Sequence, residues 1–421
     1  MSAAHAAYRD ASAADVAAQV RAHFLGAGDT RFAGEALAQW RRATRLELGL
    51  PTDRPIVMTG HQAGVWHAGI AEKFLFGAEI AARAGAALVH VVVDHDLNDA
   101  SLVAYPALVA GRLARLALER SPRGAGPNAL RRPVRTMRSE RAHEVPVEIE
   151  PALARIESAV AAERGRANLA MQMAHAANAL LGPSVPVSHT LGATQLARTT
   201  FADMLRARFE GSRAAYNAAV AGERIAPVAA DEVPFWTLDA KAGTRAPLVG
   251  SAAPGALLAP RALALTAIAR SAACDLFIHG TGGARYDRAM EAWMSSVLGA
   301  PARGTLAPMA VATATRLAPL ARFVPAFDPA ATPDALRALE QDPFGDDGRT
   351  KRALRAAIAG TRAEKRAAFV SMRRAIERAR AERATELNAL RARVAANRDA
   401  SAAHALATDR TWPFPFTMPR A

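Results

Sequence analysis

The chain is poor in cysteine and aromatic residues, and it lacks any long uninterrupted apolar run. Its single cysteine, Cys274, excludes an intramolecular disulfide and a four-cysteine zinc site. The apolar segment nearest to membrane-spanning length, Leu257–Ile278, is broken by Pro260, Arg261, Arg270 and Asp275. The opening residues have no basic stretch followed by an apolar one, so no secretion leader is read there. These features lead us to expect a cytoplasmic, soluble protein with no membrane partner. The composition is otherwise ordinary: 51% of the 421 residues are hydrophobic, enough for a large core and for more than one folding unit.

The net charge of +14 suggests a nucleic-acid binder until its distribution is considered. Arg349–Arg398 alone holds +11, leaving the remainder nearly neutral. Few aromatic residues accompany this basic segment and it contains no recognised nucleic-acid motif, so nucleic acid is disfavoured as a partner. A solvated helix face is the simpler expectation. Within the segment, Phe369, Met372, Ile376, Ala379, Arg383, Leu387, Leu390 and Val394 recur at intervals of three and four. That spacing predicts one long helix from about Glu364 to Asn397, with a seam of coiled-coil type that would pair either with the preceding Ala353–Gly360 or across a homodimer.

The remaining pattern alternates apolar strands with helices, the mark of an α/β fold with a parallel sheet. Two helices are expected over Ala14–Leu48. A strand–helix–strand unit follows over Pro55–Asp99, its helix spanning Ala68–Gly85. Leu102–Leu118 fits helix or strand equally, and Arg120–Arg141 reads as a surface excursion. Helices are expected over Val147–Leu181, Gln195–Ala221 and Ala262–Ala272, with a hairpin over Val233–Gly250. A third strand, Asp275–Ile278, leads into a glycine-rich loop and a helix through Leu298. Pro301–Pro343, rich in proline and alanine, is expected to pack around the core. The domain division expected is helices over 1–50, a catalytic core over 51–345 with an inserted segment near 120–185, a basic helical arm over 346–400, and a tail over 401–421.

Each strand in this core runs into reactive side chains, and open parallel sheets bind ligands at the carboxyl ends of their strands. At the first junction, Thr59, Gly60, Gln62 and Gly64 could present backbone N–H groups to a phosphate or carboxylate, with His61 and His67 as proton-transfer groups. The second junction, Asp94-His95-Asp96 with Asp99, is the densest ionisable cluster in the chain. If it is extended, Asp94 and Asp96 share one face and His95 takes the other. Asp94 and Asp96 could hold an amine or a Mg²⁺–nucleotide, with His95 a further candidate for proton transfer, while no dedicated metal site is assigned. At the third, His279, Gly280, Gly282 and Gly283 permit close approach of a ligand, with Arg285 for an anion and Tyr286 for stacking or hydrogen bonding. Phe235, Trp236, Asp239, Lys241 and Arg245 are read as hairpin packing, and Cys274 as a buried hydrophobe.

These segments, in this order, resemble the cysteine-adding enzyme family of bacillithiol biosynthesis. Thr59-Gly60-His61-Gln62-Ala63-Gly64 stands where that family has Thr-Gly-Gln-Gln-Ala-Gly. Asp94-His95-Asp96 partly matches its Glu-Asp-His-Asp segment, with Val93 in place of the Glu. Gly280–Tyr286 is similar to its second glycine-rich loop. The resemblance spans roughly residues 50–330, and the family's C-terminal signatures are missing. It implies a Rossmann-like core of nucleotidyltransferase type, a coiled-coil arm, and amide formation between cysteine, or a similar small molecule, and an amine acceptor such as glucosaminyl-malate. ATP or another nucleotide with Mg²⁺ is a possible cofactor. The first loop is also similar to that of nucleotidyltransferases, which leaves transfer to an unknown acceptor as an alternative, beside nucleic-acid binding through the basic arm.

Overall fold

The computed structural model describes residues 6–26, 28–118, 126–134, 143–346 and 348–418. Part of the expected Arg120–Arg141 excursion therefore lies outside the described residues. Two compact units divide the chain. One comprises residues up to 105, 115–318 and from 410 onward; the other comprises 106–114 and 319–409.

The first unit is built on a six-stranded sheet. Its order is Ala6–Arg9, Met309–Thr315, Leu276–His279, Ile56–Gln62, Ala87–Val93, Val187–Gly192. All neighbours are parallel except the Ala6–Arg9 edge strand. Ile56–Gln62 is central: Val57 lies opposite Leu276 on one side and Leu88 on the other. The chain adds strands outward from it in one direction, then returns to add Leu276–His279 and Met309–Thr315 on the other side. The order reverses between Ile56–Gln62 and Leu276–His279, so a crevice opens at their carboxyl ends.

Alternation along the strands supplies two buried faces. Ile56, Met58, Val89, Val91 and Phe277 join a core with Trp40, Phe201, Phe209, Tyr216 and Trp293 from the helices on one side. On the other side the helix Ala68–Ala84 lies so close that a Cβ at Gly77 would come within 2.9 Å of Leu88. Local signals delimit this helix. The His67 imidazole Nδ1 accepts from the Gly69 N–H at its start, and Gly85 ends it at φ 66°. A three-stranded antiparallel sheet, with Glu232–Asp239 between Thr244–Val249 and Leu257–Pro260, stands beside the core.

Several elements differ from the sequence reading. Leu102–Leu118 is a hairpin, Val103–Val109 with Arg112–Leu118, turned by Ala110 and Gly111 at positive φ. Met309–Thr315, within the 301–343 stretch, is a sheet strand, and its alanines and threonines give a weak apolar signal. The 147–181 and 195–221 stretches are each broken into shorter helices. In place of a tail, Trp412, Phe414 and Phe416 are buried in the first unit, where the Phe414 N–H donates to the Trp66 carbonyl.

Beyond residues 106–114, the second unit is helical: Pro333–Gln341, Arg349–Ala356, Arg362–Glu382 and Ala384–Ala407. The single long helix predicted is two, separated at Arg383 (φ −99°, ψ 19°). Arg383 pairs with Glu386 and donates to the Pro343 carbonyl. Along the seam, Ala379, Leu387 and Val394 are buried while Phe369 stays 47% exposed.

Candidate functional site

The crevice at the strand carboxyl ends holds a cavity of about 460 Å³. Gly60, Val91 and Phe277 form its floor. A Cβ at Gly60 would meet the Val91 carbonyl oxygen at 2.6 Å, so only glycine fits against the neighbouring strand there. Above the floor stand His95 and Asp96 from the second junction, and His279, Gly283, Tyr286 and Asp287 from the third. The far wall comes from Tyr216, Arg224, Trp236, Arg245 and Arg261.

His95, Tyr216, Arg261 and Asp287 line this cavity, and each carries a buried side-chain atom without a hydrogen-bond partner (Nδ1, OH, Nε and Oδ1). Buried polar atoms are almost always satisfied in folded proteins, so such a cluster around one cavity marks a place for a polar ligand. Burial pushes the Tyr216 phenol up to about 12, keeping it a neutral hydrogen-bond donor.

The charges are held in place from behind. Arg270, itself buried, donates to the Asp287 carboxylate and to the Ala307 carbonyl and pairs with Glu291 at 2.8 Å. Asp287 also lies 3.4 Å from His279 Nε2. Burial alone would raise the Asp287 carboxyl, but the contacts with His279 and Arg270 outweigh it and hold the group below its ordinary value. Across the cavity, Arg245 donates to the His95 carbonyl at 3.0 Å and lies 3.4 Å from Asp96. The guanidiniums of Arg245 and Arg261 both lie 4.4 Å from the Trp236 ring centroid, a cation–π arrangement. The helix Thr281–Leu298 begins beside His279 with no side-chain cap, leaving its first N–H groups and positive dipole end for a ligand.

The residues singled out from sequence separate into two groups. Gly60, His95, Asp96, His279, Gly283 and Tyr286 line the cavity. The others serve the surrounding structure. Thr59 donates to the Ile278 carbonyl, Gln62 to Asp96, and His67 caps its helix. Gly64 sits at φ 145° and Gly280 is the N-cap of the helix Thr281–Leu298. Asp94 accepts from the Thr194 N–H and hydroxyl, and Asp99 from Ser101 and Arg131. Arg285 pairs with Glu223 at 2.6 Å, while Gly282 lies outside the cavity lining. The alternation expected for Asp94–Asp96 fails because the chain turns at once: the Asp94 N–H donates to the Val92 carbonyl. His95 and Asp96 thus reach the cavity together, and Asp94 does not. Among the described residues, no three His, Cys, Asp or Glu side chains converge as metal ligands.

Trp236 and Arg245, read as hairpin packing, belong to the cavity wall, and Tyr216, Arg224 and Arg261 carried no motif at all. A further group lies behind the first junction. Lys73 is 4% exposed and donates to the Gly60 carbonyl; burial brings its amine down from 10.5 to about 7. His61 and His90 are each lowered to about 3, first by burial and also by the charge of Lys73. His61 therefore stays neutral behind the cavity. The adjacent charges Glu72-Lys73 inside the otherwise apolar stretch Ala68–Ala78 were the available signal. No protein-family model matches the chain, and no curated protein matches it either.

Proposed function

We propose that this chain is a ligase-like enzyme with a Rossmann-like core. It would join cysteine, or a similar small amino acid, to an amine acceptor such as glucosaminyl-malate. The observation that carries the reading is the convergence of unpartnered buried polar groups on the cavity at the strand switch point. The cavity offers both kinds of partner that such a condensation needs. Arg224, without a partner among the described residues, suits a carboxylate; Asp96 and Asp287, though paired with Arg245 and Arg270, keep carboxylate oxygens that can accept from an amine. His95 and His279 are the groups within the cavity that can carry a proton from the attacking amine. The Tyr216 hydroxyl can donate to the carbonyl oxygen as charge develops on it.

A nucleotide fits part of the same site. The uncapped start of Thr281–Leu298 suits a phosphate. Asp96 and Asp287 are already neutralised by Arg245 and Arg270, so Mg²⁺ would arrive on the phosphates instead of being held by a protein cage. A bound nucleotide would supply an activated phosphate; the chain's own groups would orient it. Trp236, covered by two guanidiniums, is poorly placed to stack a base.

The test is mass spectrometry of the purified chain incubated with cysteine and glucosaminyl-malate, with and without ATP and Mg²⁺. A product at the summed mass less one water, absent with Asp287→Asn, is the expected result. Adenylylated acceptor without amide would favour nucleotidyl transfer, and no product with a folded protein would reject the ligase reading. We extend the proposal to a homodimer through the Arg362–Glu382 helix, on the strength of the exposed Phe369 and Val370. Light scattering should show a dimer that Phe369→Glu dissociates; a monomeric wild type would reject it.

A further inference from the structure

A second cavity, of about 980 Å³, lies at the opposite, amino ends of the strands. It is lined by His23 from the helix Ala13–Leu25, Arg41 from the helix Leu37–Glu47, and Asp10, Arg270, Arg288, Glu291, Arg303 and Thr305, the Asp10 carboxylate accepting from the Val311 N–H. Some of these charges are already committed. Arg270 is fully engaged, and Glu291 is its partner. Arg41 uses Nε and one terminal nitrogen on the Ser271 and Thr305 carbonyls, which fixes its guanidinium while leaving the other terminal nitrogen. Arg288 and Arg303 have no partner among the described residues.

The His23 side chain is 10% exposed, and its two nitrogens are unlike. Nδ1 lies 3.1 Å from an Asp275 oxygen, while Nε2 is buried without any partner. Asp275 accepts on its other oxygen from Arg45 and from the Ile56 N–H, both at 2.8 Å. A carboxylate so held can only accept, so the proton sits on His23 Nδ1. Burial, with Arg41 and Arg45 nearby, lowers the imidazole and keeps it neutral. Nε2 is therefore a lone pair awaiting a donor, beside guanidiniums awaiting an anion.

We propose that this cavity binds a small oxyanion bearing a hydroxyl proton, either hydrogen phosphate or a 2-hydroxy carboxylate. The hydroxyl would donate to His23 Nε2, and the charged oxygens would accept from Arg41 and Arg303. Sulfate and acetate present the charge without the proton, which leaves Nε2 unsatisfied. The site is independent of the ligase reading and lies at the other end of the sheet.

Titration calorimetry of the full chain at pH 7.5 with phosphate, sulfate, glycolate and acetate tests this. Phosphate should bind about tenfold tighter than sulfate, or glycolate than acetate, since one lost buried hydrogen bond is worth about that factor. Whichever pair shows the preference identifies the source. Arg303→Ala, at an exposed unpaired side chain, should weaken binding roughly tenfold while leaving the fold intact. With ¹⁵N-histidine labelling, the unprotonated Nε2 signal of His23 should move on binding. Equal affinity within both pairs, no binding, or binding lost in Arg224→Ala but kept in Arg303→Ala would overturn the proposal.

Discussion

Lys73 makes the stability of this protein depend on alkaline pH in a direction that can be calculated. Its amine is buried against the Gly60 carbonyl and titrates near 7 in the folded chain, against 10.5 when unfolded. Below pH 7 both states carry the proton, and the folded state bears the full cost of a buried ammonium. Between 7 and 10.5 the unfolded chain holds one proton more than the folded one. Unfolding free energy therefore rises with pH by about 1.4 kcal/mol per unit from this group alone. The whole interval corresponds to on the order of 5 kcal/mol, comparable with the total stability of many domains. Cys274 acts oppositely above pH 9, because burial pushes its thiol from 9 to about 12. The clean window is thus pH 7.5 to 9, where the gain should be about 2 kcal/mol. The assay is urea unfolding of wild type and Lys73→Met across that window. The wild type should gain those 2 kcal/mol relative to the variant, since methionine fills the space without titrating. Parallel pH dependences would refute the assignment of a low amine pKa to Lys73.

Other perturbations test other parts of the structure. Asp287→Ala leaves Arg270 buried with only Glu291 as its charged partner, and should cost about 3 kcal/mol in denaturant unfolding. Gly60→Ala places a methyl against the Val91 carbonyl at 2.6 Å; about 2 kcal/mol should be lost, together with any ligand-induced rise in melting temperature. Trp412→Ala removes a fully buried ring that also lies 4.5 Å from the Arg115 guanidinium, with an expected loss of about 3–5 kcal/mol. A change below 1 kcal/mol would mean that the C-terminal residues contribute little to the first unit.

The sequence by itself determined the local elements of the core. The Ala68–Ala84 helix with Gly85 at its end, the strands on either side, and the Leu276–His279 strand leading into a glycine-rich helix start all follow from periodicity and capping within a few residues. Junctions bearing His95, Asp96, His279 and Tyr286 could be identified because polar residues directly follow apolar strands. Tertiary structure alone decided which junction side chains face one cavity. Asp94 turns to Thr194 and His67 to its own helix, whereas Tyr216, Trp236, Arg245 and Arg261 arrive from segments with no local sign of a role. It also decided that Leu276–His279 lies beside Ile56–Gln62, a pairing across more than two hundred residues, and that the C-terminal Trp412–Phe416 returns to the core. Local conformation is set by torsional preferences and hydrogen bonds among near neighbours. Burial, pairing and the pKa of a group such as Lys73 depend instead on what distant parts of the chain bring against it.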